Sequence, residues 1–125
     1  IGMNYDYNFH PNEKIHTHAQ SLKESSFFKL SGGVDLSLKK RKKFEKKFKR
    51  PSFSNIKNAI KKIKPSLVVI AVPTEIHEKI FYEVLKYSFV KVIVCEKPIA
   101  KKYILAKKMV NNAKKKKKNT NNKLF

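Results

Sequence analysis

At 125 residues with 41% hydrophobic side chains, the chain is long enough for one core and too apolar for a disordered tail, so a single domain is expected. Thirty basic residues against nine acidic give a net charge of +21; yet only Arg41 and Arg50 are arginine, and the lysines coat nearly every predicted helix face, which favours a solvated surface over a nucleic-acid interface. No apolar run approaches a membrane span, no basic-then-apolar leader is visible, and the lone Cys95 has no internal disulfide partner, so the reading is cytoplasmic with no membrane partner.

The apolar period switches repeatedly between helical and extended spacing. Ile15, Ala19 and Leu22 in "IHTHAQSLKES" predict a first helix, and "FFKLSGGV" predicts a strand ending at Asp35. Ser37 is a suitable N-cap for "LKKRKKFEKKFK", whose Phe44 and Phe48 share a face, as residues four apart on a helix do. Pro51 stops that helix, "PSF" follows as a short strand or extended link, and Ser54 is placed to cap a helix carrying Ile56, Ala59, Ile60 and Ile63 at core spacing. After Pro65, "LVVIAV" is β-branched on both alternating faces, as a central parallel strand should be.

"PTEIHEKIFYEVLKYS" returns to helical spacing, with Ile76, Ile80, Phe81, Val84 and Leu85 expected on its buried side, and "VKVIVC" is a further strand. The last helix, "KKYILAKKMVNNAKKKKK", points Ala106, Met109, Val110 and Ala113 inward and ends on the run Lys114 to Lys118, where the helix dipole favours cations. Strands alternating with helices predict a doubly wound α/β fold with a parallel sheet.

In open α/β sheets ligands bind outside the carboxyl ends of the strands. Those ends deliver Asp35, then Pro73 and Thr74 with His77 one turn on, then Glu96-Lys97-Pro98, and all are expected along one edge. Asp35 is placed either to accept a ribose hydroxyl or to serve as an acid at a helix start. Gly32 and Gly33 before it either admit a ligand close to the backbone or mark a bulge. Thr74 is expected to cap its helix and offer a hydroxyl, and His77 to present both ring nitrogens. Lys97, beside a proline at a strand end, is suited to donate to a carboxamide or hydroxyl or to help move a proton; the plain alternative is a turn with an incidental Glu–Lys pair. No metal site is expected.

Taken in order, "KLSGGVD…RKKFEKKF", "VVIAVPTEIH" and "VIVCEKPIA" resemble the glucose-fructose oxidoreductase / inositol dehydrogenase (Gfo/Idh/MocA) family. The resemblance implies a Rossmann domain that binds NAD, with NADP left open by Arg41 near Asp35, followed by a substrate domain, and hydride transfer to or from a sugar, polyol or nucleotide sugar. It implies that Lys97 contacts nicotinamide and substrate and assists proton movement, that Glu96 and Pro98 flank it, and that Pro73, Thr74 and His77 run along the cofactor. Asp35 matches the acidic position favouring NAD, His18-Ala19 matches a pair early in the first helix, and Gly2 matches the third glycine of the phosphate loop.

From Gly2 to Asp35 is 33 positions (35 − 2), against roughly 20 in the dinucleotide fingerprint, so "YDYNFHPNEKIHT" reads as an insertion. Residues 1–125 are therefore expected to be a partial dinucleotide-binding domain, lacking the first strand, most of the glycine-rich loop and the C-terminal substrate domain, and inactive alone; the longer protein could form homo-oligomers. Two alternatives stand beside this: a non-enzymatic nucleotide-binding module of the same fold, and a polyanion binder driven by net charge.

Overall fold

The computed structural model describes residues 17–119. The predicted residues Gly2 and Ile15 and most of the expected insertion lie outside that range. The chain divides into two compact units, Ile1–Ile63 and Lys64–Phe125.

In the first unit, helix α1 (His18–Glu24) starts at Thr17, whose hydroxyl accepts the Gln20 N–H. Strand β1 (Gly33–Val34) pairs in parallel with β2 (Ser52–Phe53), Gly33 opposite Ser52 and Val34 opposite Phe53. Between them runs α2 (Leu38–Phe48), capped by Ser37 as expected, its hydroxyl accepting the Lys40 N–H. At the other end Lys49 takes the left-handed conformation (φ 52°) and returns its N–H to Glu45; a non-glycine residue there carries a small steric cost but ends the helix sharply. Helix α3 (Ile56–Ile63) is capped by Asn55, not by Ser54: the Asn55 side-chain oxygen accepts the N–H groups of Lys57 and Asn58.

The core of this unit is built on Phe44 and Phe48, with ring centroids 5.0 Å apart and Ala19 and Leu30 packed against them. Of the long strand expected in "FFKLSGGV", only its last two residues are extended and paired. The Ser25 hydroxyl accepts the N–H groups of both Phe27 and Phe28, a local turn that competes with any ladder, and Phe27 is 91% exposed.

Gly32 answers the question its position raised. A Cβ there would lie 2.5 Å from Ile63 Cδ1 and 2.9 Å from the Pro51 carbonyl oxygen, so the missing side chain makes room for α3 and the chain entering β2. Gly32→Ala is expected to destabilise the protein by about 1–3 kcal/mol through overpacking; a urea melt within ~0.3 kcal/mol of wild type would show that Ile63 yields freely.

In the second unit, β3 (Leu67–Ile70) and β4 (Val92–Cys95) pair in parallel along four positions, Leu67 opposite Val92 through Ile70 opposite Cys95. A 3₁₀ turn (Thr74–Ile76) leads into α4 (His77–Leu85), and α5 (Tyr103–Asn119) closes the unit. Helix α4 packs on β3, β4 and α5. Its buried residues are His77, Phe81 and Val84: Phe81 and Val84 as expected, with His77 in place of Ile76, which is exposed. On α5 Met109 is buried as expected, whereas Val110 faces outward. Asn112 Nδ2 donates to the Tyr82 hydroxyl at 3.0 Å, and Lys116 donates to the Leu85 carbonyl, so one lysine of the C-terminal run closes the open end of α4.

Candidate functional site

The expected site residues fall into the two units. Asp35 stands just past β1, where its N–H continues the ladder to the Phe53 carbonyl. Its Oδ1 accepts the Ser37 N–H at 2.8 Å, and Arg41 Nη1 donates to the Asp35 and Leu36 carbonyls, both at 2.9 Å. The turn from β1 into α2 is thus held on both sides, with the half-buried Asp35 carboxylate at its apex. Of the two readings of Asp35, the acid just before a helix is what the structure shows, its carboxylate accepting the Ser37 N–H at the N-cap of α2.

The second unit brings the other two segments together. The chain leaving β3 passes Val72 and Pro73 into the 3₁₀ turn, and the chain leaving β4 passes Glu96, Lys97 and the cis Lys97-Pro98 bond. The His77 ring lies between them. Its Nε2 is 2.7 Å from the Val72 carbonyl oxygen, and its Nδ1 is 3.1 Å from that of Pro98 and 3.2 Å from that of Ile99. The expectation that both ring nitrogens are open to a ligand is corrected here: His77 is 1% exposed and spends its polar atoms on backbone carbonyls.

Thr74 is likewise corrected as a cap. It begins the 3₁₀ turn behind Pro73, and no side chain caps that turn; Thr74 is half-buried. Glu75 and Lys101 form an ion pair of 3.0 Å between the same two segments. The Glu75 carboxyl is held below its ordinary range by its own amide first and by Lys101 second.

At the end of β4 the Glu96 N–H reaches back to the Ile70 carbonyl at 3.0 Å, and the Glu96 carboxylate accepts the Lys97 backbone N–H at 3.3 Å. Among the described residues no ion pair joins that carboxylate to the Lys97 ammonium, so the incidental Glu–Lys pair is not what forms. The Lys97 side chain is exposed, and among the described residues no hydrogen bond holds its ammonium. An ammonium and a threonine hydroxyl at the carboxyl ends of neighbouring parallel strands are the donors that a carboxamide and ribose hydroxyls require, so these residues fit the nicotinamide end of a dinucleotide.

Cys95, the last residue of β4, is only half-buried; burial and then the Glu96 charge push its thiol up, which leaves little thiolate at neutral pH. Among the described residues no three His, Cys, Asp or Glu side chains gather as metal ligands, and no helix is long and apolar enough to cross a membrane.

The profile of the Gfo/Idh/MocA group, described as "Oxidoreductase family, NAD-binding Rossmann fold", matches residues 14–122. No curated protein matches the chain. A crystal structure described as that of a "putative dehydrogenase" from Bordetella bronchiseptica RB50 is similar, with a TM-score of 0.70 at 18% identity over 78% of this chain. The chain spans 25% of the length of that protein. Likeness at this identity speaks to fold, and it agrees with the alternating helices and parallel strand pairs: an α/β fold of Rossmann type.

Proposed function

The chain belongs to the Gfo/Idh/MocA oxidoreductase family with its NAD-binding Rossmann fold, and from that premise we propose that it is the dinucleotide-binding portion of an enzyme moving hydride between a nicotinamide cofactor and a sugar, polyol or nucleotide sugar. The observation that carries this reading is Lys97: an exposed ammonium, unheld among the described residues, at the end of β4 and beside the segment leaving β3. In this reading the bound cofactor supplies the hydride. Lys97 binds the carboxamide and substrate hydroxyl and moves the substrate proton, and Thr74 donates toward the ribose. Pro73, Glu96 and Pro98 shape the backbone around them.

Asp35 accepts the adenosine ribose hydroxyls in the same reading. A carboxylate there disfavours a 2′-phosphate, and Arg41, the residue that kept NADP open, has its Nη1 committed to two carbonyls. NAD is therefore the proposed cofactor.

Thermal melts followed by circular dichroism, with and without NADH, test the nucleotide step. A ligand that binds only the folded chain stabilises it by about 2.7 kcal/mol at a hundredfold excess over Kd, which moves the midpoint of a domain this size upward by roughly 10 °C. A cooperative melt that NADH leaves in place would mean that residues 1–125 do not hold the dinucleotide on their own.

A further inference from the structure

We infer that His77 is a positioning residue, which holds the Lys97-Pro98-Ile99 turn against the end of β3 and so fixes where Lys97 presents its ammonium. Among the described residues no ladder bond reaches the carbonyl oxygens of Val72, Pro98 and Ile99, which lie past the ends of β3 and β4. The His77 ring is within hydrogen-bond distance of all three, at 2.7, 3.1 and 3.2 Å. A neutral imidazole donates from one nitrogen only, so the tautomer decides which strand end receives the proton.

The ring starts from a firm base. His77 is the first residue of α4, its N–H is returned to the Thr74 carbonyl, and α4 packs on both β3 and β4. At 1% exposure, little water can replace the ring's bonds if they are lost. Pro98 has no N–H to donate within its own turn, whereas the turn at Pro73 is closed by the Ile76 N–H on the Pro73 carbonyl at 3.0 Å. Two other links join the segments: the Glu96 N–H donates to the Ile70 carbonyl at 3.0 Å, just before Lys97, and Glu75 pairs with Lys101 through side chains 58% and 61% exposed, a kind of pair that holds little. The Glu96 bond fixes the chain before Lys97, and the backbone after it, at Pro98 and Ile99, meets a histidine twenty residues before Lys97 (97 − 77).

The functional weight of this latch rests on Lys97 meeting the cofactor, so the test separates the two. In the ¹⁵N-labelled chain, a His77 ring N–H is expected to exchange at least ~100-fold more slowly than that of free histidine, as buried hydrogen-bonded protons do; exchange at the free rate overturns the inference. In His77→Phe, the ¹H–¹⁵N heteronuclear NOE of Lys97, Ile99 and Ala100 is expected to fall to loop values while Val69 and Val94 keep theirs. His77→Gln, which retains a donor, is expected to recover part of the loss. A turn that stays ordered in a folded His77→Phe chain overturns the inference. Should that variant fail to fold, His77→Gln and the ring N–H exchange decide.

NADH titration then reads the consequence. Its Kd is expected to rise about tenfold or more in His77→Phe, the cost of one misplaced charged donor, and less in His77→Gln. A loosened turn with wild-type NADH affinity overturns the positioning role. If the wild-type chain itself does not bind NADH, residues 1–125 do not hold the dinucleotide on their own, and the hold on the turn is judged on the NOE and ring exchange alone.

Discussion

Lys97→Met is expected to lower kcat/KM for hydride transfer by about 10²–10⁴-fold when this chain is joined to a substrate domain, the usual loss when a positioned proton-transfer group is removed. Methionine keeps the length and apolar stem and removes only the ammonium. The contact with nicotinamide should also weaken: losing a charged hydrogen bond costs about 1.5–3 kcal/mol, or roughly 10–100-fold in NADH affinity. Lys101→Met is the matched control. Lys101 is four residues on and equally cationic, but its partner is the exposed Glu75, and removing one surface pair should change kcat/KM by no more than about twofold. Equal losses in the two variants would mean that positive charge near the strand ends matters and Lys97 has no particular role. A Lys97→Met enzyme within tenfold of wild type would remove the proton-transfer assignment.

What the sequence made legible divides along physical lines. Strand β3 was plain because "LVVI" is β-branched on successive residues, a pattern that helix periodicity does not produce. Helix α2 was plain because Phe44 and Phe48 recur four apart behind a serine cap. "FFKLSGGV" misled because an apolar run has no intrinsic direction: Ser25 turns the backbone at Phe27 and Phe28 before any ladder can form. Ser54 and Asn55 are both good capping residues at adjacent positions, and only the dihedral path into α3 chooses between them.

His77 was the costliest misreading. Phe81 and Val84 lie on the buried side of α4 as their spacing predicts, but His77, four and seven residues before them, completes that face where Ile76 was expected. A legible signal did exist. Two proline-bearing strand ends leave carbonyls that need a donor, and a histidine one turn after the first of them is the nearest side chain able to reach both. The lysines, by contrast, behaved as composition suggested: Lys39, Lys42, Lys43 and Lys46 lie along the solvated side of α2.

The second large effect concerns Phe44, which is buried against Phe48 in the core of the first unit. Phe44→Ala is expected to destabilise the protein by about 3–5 kcal/mol, the range for emptying a buried aromatic position. Phe44 is 1% exposed and its ring packs on Phe48, so the cavity cannot collapse without moving α2. A unit the size of Ile1–Ile63 has a stability of roughly 3–9 kcal/mol, and the loss is therefore comparable to the whole. Urea melts should show the helical signal of this unit disappearing at much lower denaturant; a shift worth under ~1 kcal/mol would show the pair to be loosely packed.

The consequence for function runs through Asp35. Its carboxylate is aimed by the Ser37 N–H and its carbonyl is held by Arg41, and both partners belong to the first turns of α2, the helix that Phe44 anchors. NADH affinity of Phe44→Ala should fall in proportion to the folded fraction, because apparent affinity scales with the population competent to bind. An osmolyte that favours the compact state should then restore most of it. Asp35→Ala should show no such recovery, since the lost group would act at the ligand itself. Recovery in both variants would mean that the carboxylate at the end of β1 does not meet the cofactor; recovery in neither would mean that Phe44→Ala weakens binding by more than its folded fraction.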